Sequence, residues 1–287
     1  MAAHFNQRFD NKVESIDFII IKDQIVKCIN QIFIFISRIR FWSDHKYREI
    51  FDNINAFYRS QIVILSTSYL LIIRMEFPEF INKLTHELTL PLPGVQVQLQ
   101  MTSSRRLREM MESRQLDEAI KSSVLILLYP GRENSQPTFV VMLRPTYEGI
   151  HSGQISLPGG RFEVTDENLM QTALRETHEE IGMDPAGVTI IGKLTELYIP
   201  PSNFLVQPFV GFTAGSPVFI PHPKEVEQII EIQVKYLLDE NNLVQKEISV
   251  GGIHFTAPSF VIDGTTIWGA TAMILNEFKE ILLKTGL

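Results

Sequence analysis

The sequence predicts an α/β fold: one mixed β-sheet with helices packed on both sides, preceded by a poorly defined N-terminal extension. Three observations predict it. Short apolar runs bounded by Pro, Gly and Asp turns recur along residues 121–287, as buried strands require. Helix-spaced segments with capping residues lie between those runs. All 16 glycines and 15 prolines fall after residue 74, so ordinary domain punctuation begins at Met75.

Residues 1–74 contain neither Gly nor Pro. Their apolar blocks, such as 18–21 and 32–36, give no clean amphipathic stripe. Three readings compete: a helical extension packed on the main domain or on a partner, an interfacial membrane segment, or translated upstream sequence with the natural start at Met75. The last is favoured, because Met75 is the first methionine after Met1. The membrane reading ranks lowest, because polar residues are interspersed and not gathered on one face.

Residues 75–120 read as a helical lead-in. A short amphipathic helix is expected over 77–87, and a basic stretch over 102–115, with Arg105, Arg106, Arg108 and Arg114, is expected to be largely exposed. The main domain is expected over 121–287. Residues 123–128 and 138–143 are strands that pair as neighbours, followed by a glycine-rich loop and a helix over 167–181. Further strands are expected at 188–194, 205–213 and 228–234, and a helical turn at 236–241. Strand pieces flank the Asp263-Gly264 turn, and the last helix covers 271–284.

The totals exclude some function classes. The chain is 45% hydrophobic and 21% charged, an ordinary globular balance. Net charge is -7 with a pI near 5.6, so no basic footprint argues for nucleic acid. Cys28 is the only cysteine, which rules out an intrachain disulfide and a thiolate zinc cluster. A lone cysteine suits a reducing cytoplasm, the expected location. The longest uncharged apolar-rich runs, 28–37 and 60–73, are shorter than the roughly 20 residues of a membrane span. The N-terminus lacks the build of a signal peptide. Oligomeric state is not legible.

The informative stretch runs from Leu157 to Met183. Thr165 or Asp166 is placed to cap the helix start, and Gly182 takes the left-handed cap at its end, with Pro185 beyond. Leu174, Thr177, His178 and Ile181 share one helix face; Glu176, Glu179 and Glu180 share the other. Three carboxylates in one patch repel each other, and only Arg175 is adjacent. A divalent cation turns that repulsion into attraction. All-oxygen ligation suits Mg2+ or Mn2+ and not zinc. A bare acidic face of this kind is more often a solvated surface; the surrounding residues decide against that reading.

The stretch resembles the box of the Nudix family, Gly-x5-Glu-x7-Arg-Glu-U-x-Glu-Glu-x-Gly-U, where U is a bulky aliphatic residue. Arg175, Glu176, Glu179, Glu180 and Gly182 match, and Glu167 stands eight residues before Arg175. Two positions depart from it. Six residues separate Gly160 from Glu167, one more than the box has, and Thr177 replaces an aliphatic residue. The insertion falls in a loop ahead of the helix, so the metal site is expected to survive. The upstream stretch is similar to the signature of the coenzyme A pyrophosphatase branch, Leu-Leu-Thr-x-Arg-Ser/Ala-x3-Arg-x3-Gly-x3-Phe-Pro-Gly-Gly. Arg144, Gly153, Pro158, Gly159 and Gly160 keep its spacing. Leu157 replaces Phe, Pro145 replaces Ser or Ala, and Gly149 stands where the second Arg is expected.

The resemblance implies a Nudix α/β/α sandwich and a metal-dependent hydrolase with Mg2+ or Mn2+ as cofactor. Its partner would be a small-molecule nucleotide, with no nucleic acid and no membrane. The substrate implied is coenzyme A or an acyl derivative, cleaved to 3′,5′-adenosine bisphosphate and 4′-phosphopantetheine. Alternatives are another nucleoside diphosphate derivative, such as ADP-ribose or NADH, or a nucleotide-sensing domain without turnover. Glu176 and Glu180 are the expected metal ligands, with Glu179 as a third ligand or the base. Arg175 orients Glu176 by a charge-assisted bond. Arg144, Gly153, Gly159, Gly160 and Arg161 are expected to shape or contact the substrate site, and Glu225 is a further candidate carboxylate. His178 reads as packing or surface facing the sheet, and His151 as a polar loop residue.

Overall fold

Strand β1 (Ile120–Pro130) is the spine of the sheet in a computed structural model that describes residues 75–112, 118–132, 135–146 and 153–287. The expectations for residues 1–74, Arg114, Gly149 and His151 lie outside the described residues. Strand β1 pairs in parallel with β7 (Phe204–Phe212) and antiparallel with β2 (Pro137–Leu143) and β4 (Gly159–Arg161). On β2 are added β3 (Ile155–Ser156) and β8 (Gln228–Gln233). On β7 are added β5 (Thr189–Lys193) and β6 (Leu197–Ile199). The sheet is mixed, as the sequence predicts.

Period-two alternation sends successive side chains to opposite faces. Leu125, Leu127 and Tyr129 of β1, with Val140 and Met142 of β2, pack on Ala173, Leu174 and Ile181 of helix α4 (Leu169–Ile181). Ile126, Leu128, Phe139 and Val141 face the other way. They meet helix α1 (Phe77–Leu88), whose Phe77, Phe80, Ile81 and Leu84 recur at helical spacing, and helix α6 (Gly269–Leu282). Two short helices, α2 (Val95–Gln98) and α3 (Ser104–Glu112), precede β1; α5 (Val234–Leu238) follows β8.

A second sheet of β9 (Leu243–Val250), β10 (Ile253–Ile262) and β11 (Thr265–Ile267) is antiparallel throughout. Its β10–β11 turn is the expected Asp263-Gly264, both at positive φ (48° and 82°). Strand β9 had no sequence signal. Most of it is exposed, so no hydrophobic alternation marks it, and the long ladder with β10 makes it a strand.

Several local expectations are corrected. Neither Thr165 nor Asp166 caps the helix: Asn168 does, its Oδ1 accepting from Met170 N at 3.0 Å and Gln171 N at 3.1 Å. The helix therefore begins at Leu169, not 167. Its end is as expected, with Gly182 at φ 73°. His178 points to solvent and not to the sheet, its Nδ1 lying 3.2 Å from Met183 O. The basic stretch is not uniformly exposed. Arg105 and Arg108 face solvent, whereas Arg106 turns inward and buries its Nε and Nη2.

Candidate active site

The site is built where β4 meets α4. Gly159 sits against β1 with φ 148°; a Cβ there would stand 2.3 Å from Ser123 O and 2.5 Å from Val124 Cα. Only glycine fits. At Gly160 a Cβ would stand 2.5 Å from Glu176 Cδ and Oε1, so its absence makes room for that carboxylate. Both glycines line a cleft of about 860 Å³, as do Arg144, Glu176, Glu180 and Glu225.

Glu180 is buried, 2% exposed. Its Oε2 accepts from Gly159 N at 2.8 Å and its Oε1 from Arg144 Nη2 at 3.1 Å. Burial pushes its pKa up to about 7 against the pull of Arg144 and of the Gly159 bond; Glu176 and Glu225 push the same way as burial. Glu176 is raised too, by burial first, with Glu179 and Glu225 adding to it and Arg175 opposing. Burial and crowding by other acids thus make it hard for Glu176 and Glu180 to carry full charge on their own.

Arg175 organises the neighbouring acids. Its Nε and Nη2 grip Asp166 at 2.9 and 3.0 Å, a bidentate fork. Nη1 pairs with Glu176 Oε1 and with Glu179 Oε2, both at 3.0 Å, and Nη2 also reaches Arg161 O at 3.0 Å. Asp166 accepts as well from Glu163 N and Thr172 Oγ1, both at 2.9 Å. The Arg175 fork, with these bonds, holds the Asp166 carboxyl down at about 2 against the effect of burial. Asp166, read from sequence as a cap, is the residue that fixes Arg175. Thr177, in the aliphatic position, buries its hydroxyl by donating to Ala173 O at 2.6 Å. The lengthened loop contains a Glu163–Asp166 turn, closed by Asp166 N donating to Glu163 O at 3.0 Å, with Val164 fully exposed.

The sequence candidates separate. Arg144, Gly159, Gly160, Arg161, Glu176, Glu180 and Glu225 line the cleft. Glu179 does not; its side chain is 52% exposed and held by Arg175. Gly153 also lies off the cleft, at φ 62° in the loop between β2 and β3. Arg144 is committed to Glu180, to Ser156 Oγ at 3.1 Å and to Gly159 O at 3.3 Å. Glu225 reaches the site because its loop is stitched to the end of α4: Ile220 N donates to Ile181 O and His222 N to Glu180 O.

Sequence reading missed the far wall of the cleft. It consists of the α3 start, β10 and the α6 start, with Phe255 and Trp268 edge to face at 5.7 Å. Nothing in the residue spacing ties these segments to the box.

Among the described residues, no three acidic or histidine side chains already form a closed metal cage. The donor chemistry still fits a hard divalent ion. Glu176, Glu180 and Glu225 bring carboxylate oxygens to one part of the cleft, and at Glu176 and Glu180 burial and neighbouring acids disfavour the charged form until a cation compensates. No helix of the described residues is long and apolar enough to cross a membrane.

A family model described as NUDIX domain matches residues 120–246. The chain is 30% identical over 145 residues to a Nudix hydrolase NudL of Yersinia pestis, covering 50% of this chain and 72% of that one. The NudL of Yersinia enterocolitica is 28% identical over 184 residues, covering 62% and 94%. The human protein named mitochondrial coenzyme A diphosphatase NUDT8 is 31% identical over 153 residues, covering 52% of this chain and 64% of its own length, less than two thirds.

Proposed function

This chain belongs to the Nudix hydrolase family, and from that premise we propose that it hydrolyses the diphosphate bond of coenzyme A or an acyl derivative. The single observation that carries the hydrolytic reading is the convergence of Glu176, Glu180 and Glu225 on one cleft beside Gly159 and Gly160. The coenzyme A assignment draws on the upstream signature around Arg144 and Gly159-Gly160, and on the likeness to the human diphosphatase.

Glu176, Glu180 and Glu225 would hold Mg2+ or Mn2+. When bound, the ion supplies neutralisation of diphosphate charge and activation of water. The chain's own residues do the rest. Gly159 lets β4 close on β1, and Gly160 leaves room for the Glu176 carboxylate. Arg175 keeps Glu176 in place, itself fixed by Asp166. Arg144 holds Glu180, and so acts on the substrate through that carboxylate. Arg161 is exposed at the cleft rim and is placed to meet a phosphate. Glu225 replaces Glu179 as the third carboxylate, because it lines the cleft and Glu179 does not. Glu179 steadies Arg175 from the outside. Residues 75–287 carry this machinery, and a reducing cytoplasm is our reading of the compartment, from the lone Cys28.

The test is catalytic efficiency on coenzyme A, ADP-ribose and NADH at one Mg2+ concentration. Coenzyme A is expected to lead. A lead of about tenfold or more for ADP-ribose would leave the family standing and remove the substrate assignment.

A further inference from the structure

The cleft holds a cation with unused donors. Arg106, on α3, lines it. Its Nε and Nη2 are buried and have no hydrogen-bond partner. Burial lowers the guanidinium pKa, with Glu109 acting the other way. The neighbouring arginines are occupied: Arg144 by Glu180, and Arg105 by Glu109 at 2.9 Å. A buried guanidinium with idle donors is costly, because each unmade bond forfeits its desolvation. A ligand that supplies acceptors removes that cost.

A second feature faces the same point. Helix α6 starts at Gly269, and a Cβ on Gly269 would stand 3.4 Å from Arg106 Nη1. Trp268, the residue before it, makes no side-chain cap, so the first amides of a 14-residue helix gain no acceptor there. A cation packed on the positive end of a helix is electrostatically unfavourable by itself. An anion between them satisfies both. Helices α6 and α4 pack on opposite faces of the main sheet, so this point belongs to a different wall from the carboxylates.

We propose that Arg106 and the amino end of α6 bind a phosphate monoester of the substrate, separate from the diphosphate that is cleaved. The inference rests on the coenzyme A reading, in which that group is the 3′-phosphate. It assigns to Arg106 a specificity role that lies outside both sequence motifs. A monoester dianion carries acceptor oxygens for both the Arg106 guanidinium and a helix amide. The cleft also needs positive charge remote from Glu176, Glu180 and Glu225 to hold so anionic a substrate.

Two measurements on the full chain test it. The first compares coenzyme A with its 3′-dephospho form. Arg106→Gln is expected to lose about tenfold or more in efficiency on coenzyme A, through KM, and to stay within about twofold on the dephospho form. Arg106→Lys should recover part of the loss. An equal loss on both substrates, or no loss, overturns the proposal. The second needs neither turnover nor a variant. In EDTA, 3′,5′-adenosine bisphosphate should stabilise the wild-type chain against heat at lower concentration than 5′-AMP, and Arg106→Gln should abolish that preference. Equal stabilisation by the two nucleotides overturns the proposal even if Arg106→Gln fails to fold. If wild type spares coenzyme A yet prefers the bisphosphate through Arg106, the substrate reading fails and the phosphate site stands.

Discussion

The backbone N–H of Gly159 donates to Glu180 Oε2 at 2.8 Å, tying strand β4 to helix α4 through a carboxylate that is 2% exposed. A buried acid is thereby held at the cleft wall without being fully neutralised. The bond links the glycine pair to the acidic helix through two residues that stand 21 positions apart in the sequence.

Glu180→Gln should lower turnover by at least about two orders of magnitude, since it removes a proposed metal ligand. The amide keeps one acceptor for Gly159 N or Arg144, so stability without metal should change by no more than about 1 kcal/mol. Steady-state kinetics and chemical denaturation in EDTA check both halves. Near-wild-type turnover would remove Glu180 from the site.

The raised pKa of Glu180 gives a pH signature. Its folded value of about 7 exceeds its ordinary 4.5, so the folded chain binds the extra proton between those limits. Its contribution to stability is then full below about 4.5 and is lost as pH rises through about 7. In EDTA, the wild-type Tm should fall relative to Glu180→Gln across that window. Saturating Mg2+ should reverse the trend by favouring the carboxylate. Parallel Tm curves in EDTA would contradict this.

The two glycines should fail differently. In Gly159→Ala the new Cβ meets backbone, Ser123 O at 2.3 Å, at a φ of 148°. The fold should lose about 3 kcal/mol or more. In Gly160→Ala it meets the Glu176 side chain at 2.5 Å, which can swing away. Tm should drop by less than about 5 °C, while kcat falls about tenfold or more as Glu176 leaves its place. Denaturation and kinetics on the two variants would reveal any reversal of that order.

Asp166→Asn should loosen Arg175 by removing the charge from its fork. The expected effect is a kcat loss of about tenfold with KM little changed, since Asp166 touches no proposed substrate contact. Its carboxyl, held at about 2, stabilises the fold above its ordinary 3.8, a contribution lost as pH falls through about 2. The variant should therefore unfold at higher pH on acid titration. Coincident acid unfolding curves would show that the fork contributes nothing.

The part of the site carried by local chain was legible in sequence. Helix periodicity put Glu176 and Glu180 on one face, and Gly182 marked the helix end. Asp166 was misread because an acid before a helix normally caps it; Asn168 had taken that role, which freed Asp166 for Arg175. Arg106 was taken for a surface residue because it stands in a basic, polar stretch, and one of its neighbours, Gly269 at the α6 start, is remote in sequence. Glu225 was legible only as a candidate, since its approach depends on loop bonds to Ile181 O and Glu180 O. Strand β9 left no pattern at all, being solvated on most positions.

A chain started at Met75 should keep Mg2+-dependent hydrolysis, since every proposed site residue lies within 75–287. Expression of that fragment, with its Tm and specific activity beside the full chain, checks the point. Insoluble or inactive fragment would show that residues 1–74 are needed.

The central claim is tested most directly by product identity. Purified chain is incubated with coenzyme A and Mg2+, and the products are resolved by mass spectrometry, with EDTA and Glu180→Gln as controls. The account predicts equal amounts of 3′,5′-adenosine bisphosphate and 4′-phosphopantetheine, neither product in EDTA, and product formation slowed by at least about two orders of magnitude in Glu180→Gln. Intact coenzyme A after exhaustive incubation, or the same products at the same rate in the EDTA and Glu180→Gln reactions, would contradict it.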